Sequence, residues 1–396
     1  MQYRIMPKTK DKLSVLGYGC MRFKTNSFGK IAKENAIKQV RMAIDNGVNY
    51  LDTAYPYHRG ESESFLGEYI LKDGYREKVK VATKLPTYLV NKSQDMDKYL
   101  NKQLSKLKIN NIDYYLLHSL DGPTWRKMLR FGVLDFMNRI KKEGKITYMG
   151  FSYHGTKEDF YEIIDGYDWD FCQIQYNYLD EYFQAGIDGL NYAYSKNIGV
   201  IVMEPLRGGQ LVGAIPKAVQ AIWDKASIKR SPAEWAFRFI YNHPAVIVVL
   251  SGMSEDAHII ENIKIANEAK ANSLSKKELA IINEVKETYQ RLLKIGCTGC
   301  RYCIPCPAGI DIPYAFQTYN NHHMFGGRLS RRLMYARIVG MTSKKPKWTT
   351  MCIDCGKCEK ACPQNLKIRE YFKNVQKDIE TPVIRAVAKV GKLFIK

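Results

Sequence analysis

Apolar, β-branched runs recur along the first two thirds of the chain, beginning near Val15, Val48, Val79, Ile112, Ile146, Phe171, Ile198 and Val246. Most are separated by about 30 residues holding one amphipathic helical stretch, a rhythm that predicts repeated βα units and a parallel sheet. Helix starts are marked locally: Ser231-Pro232-Ala233-Glu234 combines a capping serine, a proline at the first helical position and a glutamate three residues on. Eight such units in roughly 270 residues suit a closed (β/α)8 TIM barrel better than an open doubly wound sheet. The Gly-x-Gly-x-x-Gly turn of a doubly wound dinucleotide fold is also missing after the first strand, where LGYGCMRF stands. Short segments around Tyr3 to Met6 and Lys12 to Val15 predict a hairpin plugging one barrel end.

Composition changes this picture little. The chain has 396 residues and 45% hydrophobic content, ample for a core. No run reaches the roughly 18 apolar residues of a spanning helix, and MQYRIMPKTK lacks the apolar stretch of a secretory signal, so a cytoplasmic location is expected. The formal charge of +21 is large, and seven Lys or Arg without one Asp or Glu lie between Gly327 and Lys347. Such a surface attracts nucleic acid, anionic membrane or acidic proteins, although a solvated basic face is its ordinary meaning. No recognition helix, zinc-finger spacing or aromatic stacking platform accompanies the charge, which disfavours nucleic acid.

The cysteines add a second centre. CTGCRYCIPCP supplies Cys297, Cys300, Cys303 and Cys306-Pro307, and MCIDCGKCEKACP supplies Cys352, Cys355, Cys358 and Cys362-Pro363. The second run has the three-plus-one spacing of a bacterial-type [4Fe–4S] ligand set, and the first is one residue shorter before its last cysteine. Three closely spaced thiolates close on one cube, and the one before proline reaches the other. Cys297, Cys300, Cys303 and Cys362 are thus expected to hold one cluster, and Cys352, Cys355, Cys358 and Cys306 the second. Disulfides are disfavoured in a reducing compartment, and structural zinc has no use for the Cys-Pro pairs. Cys20 and Cys172, inside strand patterns, are expected to be packing residues.

Between the motifs, IPYAFQTYN and SRRLMYARIV are helical stretches with no hairpin, the pattern of a small helical ferredoxin-like domain. The expected organisation is a barrel over 1–272, a bridging helix over 273–295, a dicluster domain over 296–372 and a basic amphipathic tail over 373–396. That tail, TPVIRAVAKVGKLFIK, is expected to dock on its own protein, with membrane contact as the alternative reading.

In a barrel, chemistry sits at the C-terminal rim. NYLDTAYPY ends the second strand with Asp52 and puts Tyr57 five residues on, VATKLP ends the third with Lys84, and YYLLHSL ends the fourth with His118. Any one of these alone is ordinarily a capping or packing group, but adjacent strands bring all four together. DTAYPYHRGESE, VATKLP, LLHSL, YMGFSYHG, QIQYNYLD and MEPLRGG resemble the aldo/keto reductase superfamily in order and spacing over about residues 10 to 270. The resemblance implies an Asp52, Tyr57, Lys84 and His118 tetrad that reduces a carbonyl with hydride from a nicotinamide cofactor.

Residue chemistry fits that reading. Hydride addition leaves an alkoxide that needs a proton, and a tyrosine of ordinary pKa near 10 is a poor acid at neutral pH. Lowering it to about 8 takes about 2.7 kcal/mol. A lysine about 4 Å away supplies about 4 kcal/mol at an effective dielectric of 20, before desolvation losses. Lys84 is the expected neighbour, Asp52 would keep it charged, and His118 would orient the substrate oxygen.

By resemblance, Ser152 and Gln173 would hold the nicotinamide carboxamide, with Asn262 and the loop LSGMSEDAH around the adenine half. Three features depart from the family pattern. Met203 stands where many members stack a tyrosine, Tyr153 follows Ser152 where asparagine is common, and Gly252 and His258 replace cations that pair with a 2′-phosphate. The cofactor is accordingly NADP or NAD. Met203 can still pack the ring through its thioether.

A nicotinamide passes two electrons as hydride and each cluster passes one, with nothing resembling a flavin site between them. Three functions are therefore consistent with the sequence. One is a nicotinamide-dependent carbonyl reductase whose clusters serve docking, stability or redox control. Another is a ferredoxin-linked reductase with Tyr57 as proton donor. The third is an electron-transfer or redox-sensing module with an idle tetrad, its basic surface meeting an acidic ferredoxin, flavodoxin or nucleic acid.

Overall fold

The computed structural model describes residues 1–297, 299, 301–342 and 345–393. An antiparallel hairpin opens the chain, β1 (Tyr3–Ile5) with β2 (Lys12–Ser14). Eight strands follow: β3 (Leu16–Gly19), β4 (Tyr50–Asp52), β5 (Lys80–Leu85), β6 (Ile112–Leu120), β7 (Ile146–Tyr153), β8 (Phe171–Gln175), β9 (Gly199–Met203) and β10 (Val246–Ser251). All eight pair in parallel and in sequence, and β10 closes on β3, forming a (β/α)8 barrel. The apolar runs thus mark the strands to within two residues at their starts.

Alternation along the strands sorts the side chains into two cores. Tyr50, Ala82, Tyr114, Leu116, Phe171, Ile201 and Val248 fill the barrel interior together with Met6 and Leu13 from the hairpin. The hairpin is therefore a plug at the N-terminal end, as expected. A Cβ on Gly199 would collide with the sulfur of Met6, so the bottom of β9 needs glycine for the plug to seat. Residues of opposite parity, among them Leu51, Val81, Tyr115, Leu117, Phe151 and Cys172, pack outward under the helices. Ser231 caps the helix Pro232–Tyr241 by accepting the Glu234 N–H at 3.0 Å, the start signal read from sequence.

The chain divides into two compact units: Met1–Leu211 with Arg230–Leu279, and Val212–Lys229 with Ala280–Lys396. Described elements of the second unit are helical or turn, with no strand among them. Its core joins Phe316 of the helix Ile312–Met324 to Phe372 of the helix Ile368–Asp378, their ring centroids 5.8 Å apart. Each of these helices starts six residues after a Cys-Pro cysteine, Cys306 and Cys362 respectively. The unit therefore contains an internal repeat: one cysteine loop and one helix, used twice. No described helix is long and apolar enough to cross a membrane.

Candidate active site

Strand order places the rim residues. Asp52 ends β4, and Lys84 and His118 lie near the ends of β5 and β6, three consecutive strands. The Lys84 ammonium is fully buried and donates to both Asp52 oxygens, each at 2.7 Å, and to the Thr53 carbonyl at 2.8 Å. The turn Tyr57–Gly60 follows β4 and is fixed by His58, whose Nε2 accepts the Phe23 N–H at 3.2 Å. That turn lays the Tyr57 ring against Lys84, with Nζ 5.1 Å from the ring centroid. His118 stands edge-on to Tyr57, centroids 6.2 Å apart, and Tyr88 flanks its imidazole at the same separation.

The electrostatics correct one expectation. Burial is the largest influence on Tyr57 and raises its pKa; Lys84 pulls it down and Asp52 pushes it up again, leaving the phenol above its ordinary value. Lys84 does not overcome desolvation here, so Tyr57 is a neutral phenol and not a lowered one. For Lys84, burial pulls down, but Asp52 and Tyr57 together outweigh it, and the ammonium is held above its ordinary value. Burial, then Lys84 and His154, push His118 down to about 3, so its imidazole is neutral. Its Nδ1 is buried with no hydrogen-bond partner among the described residues.

Behind the tetrad lies a buried network absent from the sequence reading. Glu63 accepts from Thr83 Oγ1 at 2.8 Å and Gln103 Nε2 at 2.6 Å. Gln103 also donates to the Lys84 carbonyl at 3.0 Å and accepts the Tyr115 hydroxyl at 2.8 Å. These residues clamp the β5 backbone where it presents Lys84. The signal available was Glu63 inside DTAYPYHRGESE, a charged residue three places beyond a turn glycine.

The remaining predicted residues continue around the rim. Ser152 and Gln173 are register partners on β7 and β8, and Gln173 Nε2 lies 3.5 Å from the Met203 sulfur on β9. Ser152 Oγ accepts the Ser119 N–H at 2.8 Å. Asn262 donates to Ser251 Oγ at 3.0 Å, beside Gly252. Arg22, which sequence reasoning passed over, packs its stem on Gly252, where an added Cβ would lie 3.0 Å from Arg22 Cβ. Its guanidinium reaches Gly208 in the loop after β9. Gln173 Oε1 is buried without a partner among the described residues. An unsatisfied carbonyl at that depth suits an N–H donor such as a carboxamide, so these residues fit a nicotinamide.

In the second unit, one cavity of about 170 Å³ is lined by Cys303, Cys306, Cys352, Cys355 and Cys358. A neighbouring cavity is lined by Cys297, Cys303 and Cys362, and Ile312 is common to both walls. Cys300 lies outside the described residues. The loops repeat in backbone as well as spacing: Gly299 and Asp354 have φ of 74° and 54°, Arg301 and Gly356 66° and 68°, Gly309 and Asn365 73° and 50°. Left-handed residues at matching positions curl each loop around its cavity, and the Asp354 N–H meets Cys352 Sγ at 3.4 Å. Among the described residues no three ligand-type side chains converge as one metal ion requires. Thiols spread around a roomy cavity suit an iron–sulfur cube better than a zinc ion. Cys20 and Cys172 are buried in the barrel, as packing residues.

Comparisons with known proteins find two family matches along the chain. A model described as the aldo/keto reductase family matches residues 15–287, and one described as a 4Fe-4S dicluster domain matches 296–366. L-galactose dehydrogenase of Arabidopsis thaliana is 24% identical, covering 74% of this chain and 96% of its own. Protein tas of Escherichia coli is 25% identical, covering 73% and 99%. Among solved structures, an aldo-keto reductase from Bacillus halodurans in its holo form superposes with a TM-score of 0.60 at 23% identity, covering 72% of this chain and 96% of that one. An aldo-keto reductase from Klebsiella pneumoniae in complex with NADPH gives 0.58 at 21%, covering 72% and 95%. These likenesses share the barrel fold.

Proposed function

Because the chain belongs to the aldo/keto reductase family and carries a 4Fe-4S dicluster domain, we propose that it reduces an aldehyde or ketone with NADPH or NADH and holds two [4Fe–4S] clusters. The observation that carries this reading is the buried Asp52–Lys84 pair lying against the Tyr57 ring, with neutral His118 opposite.

A reduced nicotinamide, when bound, supplies the hydride. Ser152 and Gln173 would hold its carboxamide, with Met203, Gly252 and Asn262 along the rest of its length. His118, neutral across the physiological range, donates an N–H to the carbonyl oxygen and orients it. Tyr57 gives its phenolic proton to the alkoxide oxygen as the C–H bond forms. Its raised pKa is no obstacle, since an alkoxide is a far stronger base than a phenolate. Lys84 then stabilises the phenolate, and Asp52 keeps Lys84 charged and aimed. The gain from Lys84 is therefore realised as the proton leaves, not as a phenolate in the ground state.

Cys297, Cys300, Cys303 and Cys362 would ligate one cluster, and Cys352, Cys355, Cys358 and Cys306 the other. Such clusters exchange single electrons, with an acidic ferredoxin or flavodoxin as the fitting partner for a basic chain. A second reading, in which cluster electrons reduce the substrate directly, is favoured by Met203 in place of a stacking tyrosine.

Anaerobic stopped-flow mixing tests the proposal. The reduced nicotinamide should bind and be oxidised by a carbonyl substrate, with Tyr57→Phe slower by about a hundredfold or more. Absence of nicotinamide binding, with turnover driven by dithionite-reduced clusters, would replace it with the second reading.

A further inference from the structure

The helix Pro382–Lys392 docks on its own unit through one stripe only. Ile384 and Ala388 are buried, Gly340 lies against Ala388, and Gly391 lies against Met341. Thr381 Oγ1 accepts from Arg332 Nη2 at 2.8 Å, so this helix runs alongside the segment Leu329–Met341. Turning about 100° per residue, Leu393, Ala386, Val390, Val383 and Val387 fall on one arc about 120° wide with no polar position. All five are exposed, Val383 at 70%, Val390 at 56% and Leu393 at 77%. On the neighbouring segment, Met334 and Ile338 lie about 40° apart around its axis and are exposed at 56% and 44%. Isolated exposed aliphatics are ordinary, but an unbroken apolar arc along the outer side of a docked helix is not.

Charge is one-sided on these two segments, which hold six Lys or Arg, and on the residues that flank them. Residues 328–347 and 381–396 contain eleven Lys or Arg and no Asp or Glu, more than half the formal +21 of the whole chain. Lys389 lies at the edge of the aliphatic arc on its helix, and Arg337 adjoins Ile338 on the other. The apolar side chains are aliphatic and exposed. The cations are dispersed along both helices. A protein partner would be recognised by shaped pockets and directional hydrogen bonds; a ridge of valines bordered by spread cations matches an anionic lipid surface instead.

We propose that the helix Pro382–Lys392 and the segment Leu329–Met341 form a peripheral membrane-docking face that seats its valine ridge among the acyl chains of anionic lipids. This inference is independent of the barrel chemistry.

Flotation tests it with full-length, cluster-loaded protein purified anaerobically. The protein should rise with vesicles enriched in phosphatidylglycerol at low salt, remain behind with phosphatidylcholine alone, and be released by high salt. Val387→Asp with Val390→Asp should weaken binding roughly tenfold or more, from the two apolar groups withdrawn. Lys389→Gln should weaken it about fivefold. Val383→Ser, a milder exposed change, guards against misfolding and should also reduce binding, with unchanged circular dichroism. Failure to float with anionic vesicles, indifference to the valine substitutions, or capture of an acidic protein without vesicle binding would overturn the proposal.

Discussion

Lys84→Met keeps an unbranched side chain only one heavy atom shorter and removes the charge, which separates the lysine's catalytic contribution from its structural one. The ammonium lies 5.1 Å from the Tyr57 ring centroid. At an effective dielectric of 20, a full phenolate charge at that distance interacts by about 3 kcal/mol. The chemical step should therefore slow by about two orders of magnitude. The same substitution leaves Asp52 buried without its cation, costing about 3–5 kcal/mol of stability. Adding Asp52→Asn removes the stranded charge, so the double variant should regain part of that stability and none of the rate. Single-turnover oxidation of reduced nicotinamide at saturating carbonyl measures the first quantity, and denaturant unfolding of the same preparations the second. A Lys84→Met rate within about tenfold of the parent, or a double variant that recovers rate together with stability, would refute the reasoning.

Two further outcomes follow from the geometry. With His118 held at about 3 and Tyr57 above its ordinary value, the carbonyl-reducing rate constant should stay level across neutral pH, falling in acid only when His118 gains a proton and in alkali only above about pH 10; a decline centred near pH 8 would show that Lys84 outweighs burial. Cys306→Ser should alter the electron paramagnetic resonance of the same cluster as Cys352→Ser, and Cys362→Ser that of the cluster altered by Cys297→Ser; pairing by sequence proximity would break the crossed assignment.

Much of this architecture was legible because it is carried by period and spacing. Runs such as Val246–Leu250 and Val200–Met203 are apolar on both faces because a parallel strand is buried on both, and that pattern survives without coordinates. The Asp52, Lys84 and His118 positions followed from strand ends alone. What escaped depends on depth. Lys84 beside Tyr57 suggests a lowered phenol until burial is counted, and burial is a property of the surrounding fold. The Glu63–Gln103–Thr83 network escaped because its members are 20 to 40 positions apart and meet only in space. The repeat in the second unit was visible in the cysteines, but not in the matching left-handed backbone of Arg301 and Gly356, two residue types with nothing in common. The tail was read correctly as a helix, while its split into a docked stripe and an uncovered ridge required its neighbour Gly340.

The central claim is that the barrel delivers hydride to a carbonyl carbon, with the proton coming from Tyr57. Its most direct test is the origin of the new hydrogen in the alcohol product. With nicotinamide deuterated at the transferring position and ordinary water as solvent, the account predicts deuterium on the former carbonyl carbon. Hydrogen from solvent at that carbon, with the nicotinamide label retained or unused, would mean that electrons arrive singly through the clusters, and would contradict it.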